Sequence, residues 1–144
     1  MTNFHRVTPT FSVAAQLTVA DVQRAADEGF KVVIKNRPEN EEADQPSEAA
    51  MRAAAEAVGL AYHSLPFIGP PPPVVVGEMA TLMEHANGPI LAYCRSGRRS
   101  ITAWALATAL SGGSTPDEIL AQAASAGYDL SGAREALESL APRG

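Results

Sequence analysis

The run Pro89-Ile90-Leu91-Ala92-Tyr93 passes without a break into Cys94-Arg95-Ser96-Gly97-Arg98-Arg99-Ser100, and no other stretch constrains the fold as much. The apolar run reads as a strand, Gly97 as a turn, and the small and apolar residues from Arg98 to Leu110 as a helix. A strand that feeds a helix through a tight turn is a unit of α/β architecture. The residue at the junction, Cys94, is the only cysteine among 144 residues. First-turn amides there have no helical partner and the helix dipole favours anions. A thiol so placed is expected to ionise below its free pKa of about 8.5 and to serve as a nucleophile.

The remainder of the chain supplies the layers such a unit needs. Short extended segments near Phe4–Val7 and Phe11–Ala14 flank Thr8-Pro9-Thr10 as a hairpin or edge pair. Thr18 with Asp21 three positions on forms a helix start, Gly29 ends that helix, and Lys31–Lys35 is a β-branched strand. A polar, acidic loop from Asn36 to Pro46 follows and reads as solvated surface, then Ser47 caps an alanine-rich helix that stops at Gly59. Leu60–Leu65 alternates as a strand. The next segment, Pro66 to Pro73, holds five prolines and allows little beyond polyproline geometry. Val75, Met79, Leu82 and Ala86 then share one helical face, ahead of the Pro89–Tyr93 strand. After Gly112-Gly113, Thr115-Pro116-Asp117-Glu118 opens another helix, and Ser131–Leu140 closes the chain as the last. The alternation predicts one α/β domain over residues 1–144. Its sheet is mostly parallel, of about four or five strands, with helices on both faces. Ligands of such sheets bind beyond the carboxyl ends of the strands, where Cys94 falls.

Three of the chain's 11 basic residues crowd next to Cys94 although the formal net charge is −5. Amides turning around Gly97 can form an anion nest, closed by an arginine. The acidic balance argues against nucleic acid as a partner, and no segment reaches the roughly 20 apolar residues of a membrane span. The N-terminal residues lack the layout of a secretory signal, and a lone cysteine suits a reducing compartment, so a cytoplasmic location is expected. His5, His63 and His85 have no metal-ligand spacing, and neither metal nor cofactor is expected.

CRSGRRS behind an apolar strand resembles the active-site loop of rhodanese-type sulfurtransferases, in which a cysteine carries a persulfide. The segments FSVAAQLTVADVQRAADEGFKVVIKNRPENEEADQP, GLAYHSLP and PILAYCRSGRRSITAWALA resemble more closely the β-lactamase-hydrolase-like phosphatase-like domain family. That resemblance covers most of residues 10 to 112 and extends to GYDLSGAREALESL. It implies the fold of dual-specificity tyrosine phosphatases, although many members are named as sulfur transferases and some are fused to a persulfide-dioxygenase-like domain.

Phosphatase and sulfurtransferase make different demands on the loop. Tyrosine-phosphatase loops place five residues between cysteine and arginine, with histidine before the cysteine. Here Tyr93 precedes, four residues separate Cys94 from Arg99, and Ser100 occupies the arginine position. A phosphatase also uses a general acid for its leaving group, and Pro66–Pro73 contains none. Both points favour sulfur transfer. In that reading Cys94 takes the outer sulfur of thiosulfate or a small persulfide, Arg99 and loop amides hold the persulfide anion, and a thiol, sulfite or cyanide accepts it. Arg95, Ser96, Gly97, Arg98 and Ser100 are the candidate binding residues. Ser96 is expected to turn toward the sulfur and Ser100 to bond the thiolate, with helix capping as the ordinary alternative for both. Arg37 either reaches the anion or pairs with the acids that follow it. Sulfide or persulfide detoxification, beside a persulfide dioxygenase, is the implied setting. The alternatives are a protein-tyrosine or dual-specificity phosphatase working through a Cys94 phosphocysteine, and a non-catalytic module that binds anions or senses redox state.

Overall fold

The computed structural model describes residues 2–142. Five strands and six α-helices alternate: β1 (His5–Thr8), β2 (Phe11–Ala14), α1 (Val19–Asp27), β3 (Val32–Lys35), α2 (Glu48–Ala57), β4 (Ala61–Ser64), α3 (Pro73–His85), β5 (Ile90–Tyr93), α4 (Arg98–Ser111), α5 (Pro116–Ser125) and α6 (Arg134–Leu140). A single 3-10 turn, Ser131–Ala133, leads into α6. The sheet order is β1-β2-β5-β3-β4. The β1–β2 pair is antiparallel and every other pair is parallel. The mostly parallel α/β architecture with a hairpin at one edge is therefore as expected.

Local chemistry explains why the helices start where they do. Thr18 and Asp21 bond reciprocally at the start of α1, and Thr115 and Glu118 do so at α5. Each such cap typically contributes about 1 kcal/mol. Ser47 Oγ accepts the Ala50 N–H at α2. The proline segment ends one residue earlier than expected, because Pro73 is itself the first residue of α3, a position where its missing N–H costs nothing.

Alternation along the strands sends side chains into two cores. Phe11, Val13, Val32, Ile34, Ile90 and Ala92 face α3, α4, α5 and α6, with Trp104 of α4 buried and tilted against Phe11. Ala14, Val33, Leu91 and Tyr93 face the other way, toward Val22 and Ala25 of α1 and Met51 and Ala55 of α2. Helices thus cover both faces. α4 is buried along most of its length, from Ser100 to Ala109, so the helix that carries the cysteine loop is fixed by the core.

Candidate active site

In the sheet register Ala14, Lys35 and Ser64 lie level with Tyr93, so the last strand residues end along one line. Just beyond it the chain leaves β5 at Cys94, β3 at Asn36 and β2 toward Gln16. Backbone bonds continue the register: Cys94 N–H to Ala14 O at 3.3 Å, Asn36 N–H to Tyr93 O at 2.8 Å, and Gln16 N–H to Arg95 O at 3.4 Å. The cysteine loop is therefore braced by both neighbouring strands.

Cys94 is fully buried, and the Gly97 N–H donates to its Sγ at 3.1 Å. Gly97 has φ +91 and is the N-cap of α4, so the loop closes onto the helix start through a left-handed residue that favours glycine. Cys94 thus sits at the N-terminal end of α4, which the helix dipole makes favourable to an anion.

The arginines separate by environment. Arg99 binds both carboxylate oxygens of Glu41, at 2.8 and 3.1 Å, and also donates to Phe67 O at 3.3 Å. The proline segment thus lies beside Arg99. Arg37 is buried, with Nε on Glu41 at 2.9 Å and Nη1 on Gln16 Oε1 at 3.1 Å. Glu41 therefore joins Arg99 and Arg37. The Arg99 hydrogen bond above all, with that from Arg37, holds its carboxyl below the ordinary carboxylate value. Arg95 is 68% exposed and pairs with Glu42 at 3.0 Å. Arg98 turns away from the cysteine and donates to Asp129 O at 2.9 Å.

Several expectations require correction. The Ser100 hydroxyl does not bond the sulfur: it is buried and has no hydrogen-bond partner among the described residues, because its place on α4 faces inward. Ser96 Oγ does not bond the sulfur either; it lies one residue before the N-cap Gly97 and accepts the Arg98 N–H at 3.3 Å, a local turn bond and not a cap. Of the two roles open to Arg37, the structure shows pairing with the acids that follow it, Glu41 and Glu42, together with Gln16, and no direct place at the sulfur. The acidic loop is not merely solvated surface. Glu39 pairs with buried Lys35 at 2.6 Å, and Glu41 and Glu42 between them pair with Arg37, Arg95 and Arg99, two acids to three arginines.

Two participants escape sequence reasoning. Glu41 lies far from Arg99 along the chain, and an acid-rich loop carries no mark of which acid is internal. Tyr128, between α5 and the 3-10 turn, donates its hydroxyl to Ser96 O at 2.9 Å. Burial, and then the charge of Cys94, raise its pKa. Its only sequence signal is a helix-ending glycine followed by an aromatic residue. Among the described residues no cluster of side chains could hold a metal ion, and no helix is long and apolar enough to cross a membrane.

Residues 3–111 match the family model described as the beta-lactamase hydrolase-like protein, phosphatase-like domain. A beta-lactamase hydrolase-like protein of Agrobacterium fabrum is 32% identical over 134 residues, covering 92% of this chain and 31% of that protein. The chain thus spans about a third of the length of that curated relative. Among solved structures, a Neisseria meningitidis protein provisionally designated a phosphatase is 33% identical, with a TM-score of 0.80 over 94% of this chain and 96% of that one. PTPMT1 in complex with PI(5)P is 20% identical with a TM-score of 0.74 over 95% and 93%, a likeness of fold.

Proposed function

The chain belongs to the family of beta-lactamase hydrolase-like phosphatase-like domains, and from that premise we propose that it is a cysteine-dependent phosphatase acting on phosphate monoesters through a Cys94 phosphocysteine. The loop taken alone favours sulfur transfer; the family and the structural relatives favour the phosphatase alternative instead. The observation that carries the reading is the Cys94 sulfur, held by the Gly97 amide at the N-terminus of α4 where strands β2, β5 and β3 end.

In the proposed reaction the thiolate attacks phosphorus, an S–P bond forms, and the ester P–O bond breaks with its electrons leaving on oxygen. Water then cleaves the S–P bond, releasing inorganic phosphate and restoring the thiolate. Loop amides and Arg99 offset the charge on the transferring group. The leaving oxygen must find a proton or do without one. Pro66–Pro73 offers no carboxyl, and Glu41 is held in its charged form by Arg99. Phenols, with pKa values of about 10, leave more readily without an acid than alcohols do. Aryl phosphates are accordingly the favoured substrate class.

Sulfur transfer is the second reading, supported by the four-residue spacing from Cys94 to Arg99 and the same missing acid. Its donor would be thiosulfate or a small persulfide, its acceptor a thiol, sulfite or cyanide, and its functional partner a persulfide dioxygenase. The two are separated by assaying p-nitrophenyl phosphate hydrolysis and, in parallel, the intact mass after thiosulfate or glutathione persulfide treatment. Hydrolysis that disappears in Cys94→Ser, with no sulfur retained, is the expected outcome. A one-sulfur adduct on Cys94 without hydrolysis would reverse the order of the two readings.

A further inference from the structure

The peptide unit joining Ser96 to Gly97 is held at both ends. Its N–H points at Cys94 Sγ, with nitrogen and sulfur 3.1 Å apart, and its carbonyl oxygen accepts the Tyr128 hydroxyl at 2.9 Å. The unit is planar and trans, so its N–H and C=O point in opposite directions and fixing one fixes the other. A hydrogen bond accepted by the carbonyl also polarises the amide and strengthens its N–H as a donor. Gly97 alone among residue types fits here without strain: its φ is +91, and a Cβ would collide with the Tyr128 hydroxyl.

Tyr128 is itself anchored from three sides. Its N–H closes α5 on Ala123 O at 2.9 Å. The ring meets His5 of β1 edge-on, with centroids 5.7 Å apart. Next to it, Asp129 O is bound by Arg98. Burial keeps the hydroxyl protonated and so available as a donor. The charged and titratable groups facing this loop are Arg95, Arg98 and Arg99 on the loop and α4, Arg37, Glu41 and Glu42 from the segment after β3, Asp129 beside the tyrosine, and His5 behind its ring.

We propose that Tyr128 is a positioning residue for the nucleophile: by donating to Ser96 C=O it holds the Ser96–Gly97 peptide with its N–H on the Cys94 sulfur and stabilises the thiolate. The inference rests on Cys94 as the nucleophile of the reading above and is indifferent to whether it carries phosphorus or sulfur. Tyr128 lies outside residues 3–111, so the segment beyond the family match completes the loop.

The test is a pH titration of thiolate ultraviolet absorbance, which reports one sulfur because the chain has one cysteine, with Cys94→Ser as the blank. Tyr128→Phe keeps the ring against His5 and removes only the hydroxyl. Its titration midpoint is expected to rise by about one pH unit, a tenfold smaller thiolate fraction below the midpoint. An unchanged midpoint in a Tyr128→Phe protein of unaltered circular dichroism would overturn the proposal, and a merely structural role would lower the melting temperature without moving the titration. Should the variant not fold, the unaltered chain decides: the Gly97 amide proton resonance is expected to shift with the sulfur titration, and a resonance that ignores it is the opposing result. Absent phosphatase activity would count against the function proposed above and leave this titration to be read independently.

Discussion

Tyr93 immediately precedes Cys94, yet its side chain packs on the α1/α2 side of the sheet, where its hydroxyl meets that of Tyr62 at 2.7 Å. Burial pushes Tyr62 up to about 12 and Tyr93 above the ordinary tyrosine range, so both remain neutral and share one hydrogen bond. Tyr93→Phe leaves the Tyr62 hydroxyl without that partner and is expected to cost about 1–3 kcal/mol in urea unfolding. The Tyr62→Phe, Tyr93→Phe double variant should cost less than the two single costs added, because it strands no hydroxyl. At Gly97 the conflict is steric. Gly97→Ala must occupy a left-handed conformation, worth about 1–2 kcal/mol, and displace the Tyr128 hydroxyl. Urea unfolding should show at least that loss, and aryl phosphate turnover should fall further than the loss of stability explains. Single residues were legible where their chemistry is local. Cys94, Gly97 and Arg99 stand in one short motif, and Trp104 lies in an apolar helical stretch. Ser100 was misread because one step of helical rotation decides between sulfur and core, and Tyr128 was missed because nothing local ties it to Ser96.

Among the elements, the segment between β3 and α2 changes most from sequence to structure. Its acids form a bracket: Glu39 on Lys35, Glu41 on Arg37 and Arg99, Glu42 on Arg95. Gln45 ties the bracket to itself through Pro38 O and the Glu41 N–H. Charge pairing across loops is invisible to periodicity, whereas the capping boxes of α1 and α5 were readable because their partners are three residues apart. Glu41→Gln should lower kcat for an aryl phosphate on the order of 10- to 100-fold by releasing Arg99 from its orientation. The Glu41 carboxyl is held below its ordinary value of 4.5 in the fold, so its contribution to stability is complete above that pH and is lost as pH falls through the lower folded value. Melting temperatures of the unaltered chain and Glu41→Gln, followed downward from neutral pH, should therefore differ most near neutrality and converge below 4.5. A constant gap across that range would show that the ion pair does not hold the bracket.

For the molecule as a whole, α5, α6 and the turn between them complete a core that residues 3–111 would leave open, through Ile119, Ala123, Leu130 and Leu137. Leu137→Ala is expected to cost about 2–5 kcal/mol by urea unfolding, since the side chain is fully buried in the core shared with α4. Alternating strands and helices made a parallel sheet readable, but strand order was beyond reach, because every strand is only four residues long and nothing local chooses its neighbour. That order has a consequence for how the chain acquires its shape. β5 is the last strand in sequence and the middle one in space, pairing with β2 on one side and β3 on the other. During synthesis, the β1–β2 hairpin and the β3–β4 pair must wait as two unconnected halves until residue 93 has emerged. Contacts between residues so distant along the chain slow the search for the native state and favour a single concerted step. Cys94 is the next residue to emerge, so the candidate site comes into being only as the sheet first becomes able to close around it.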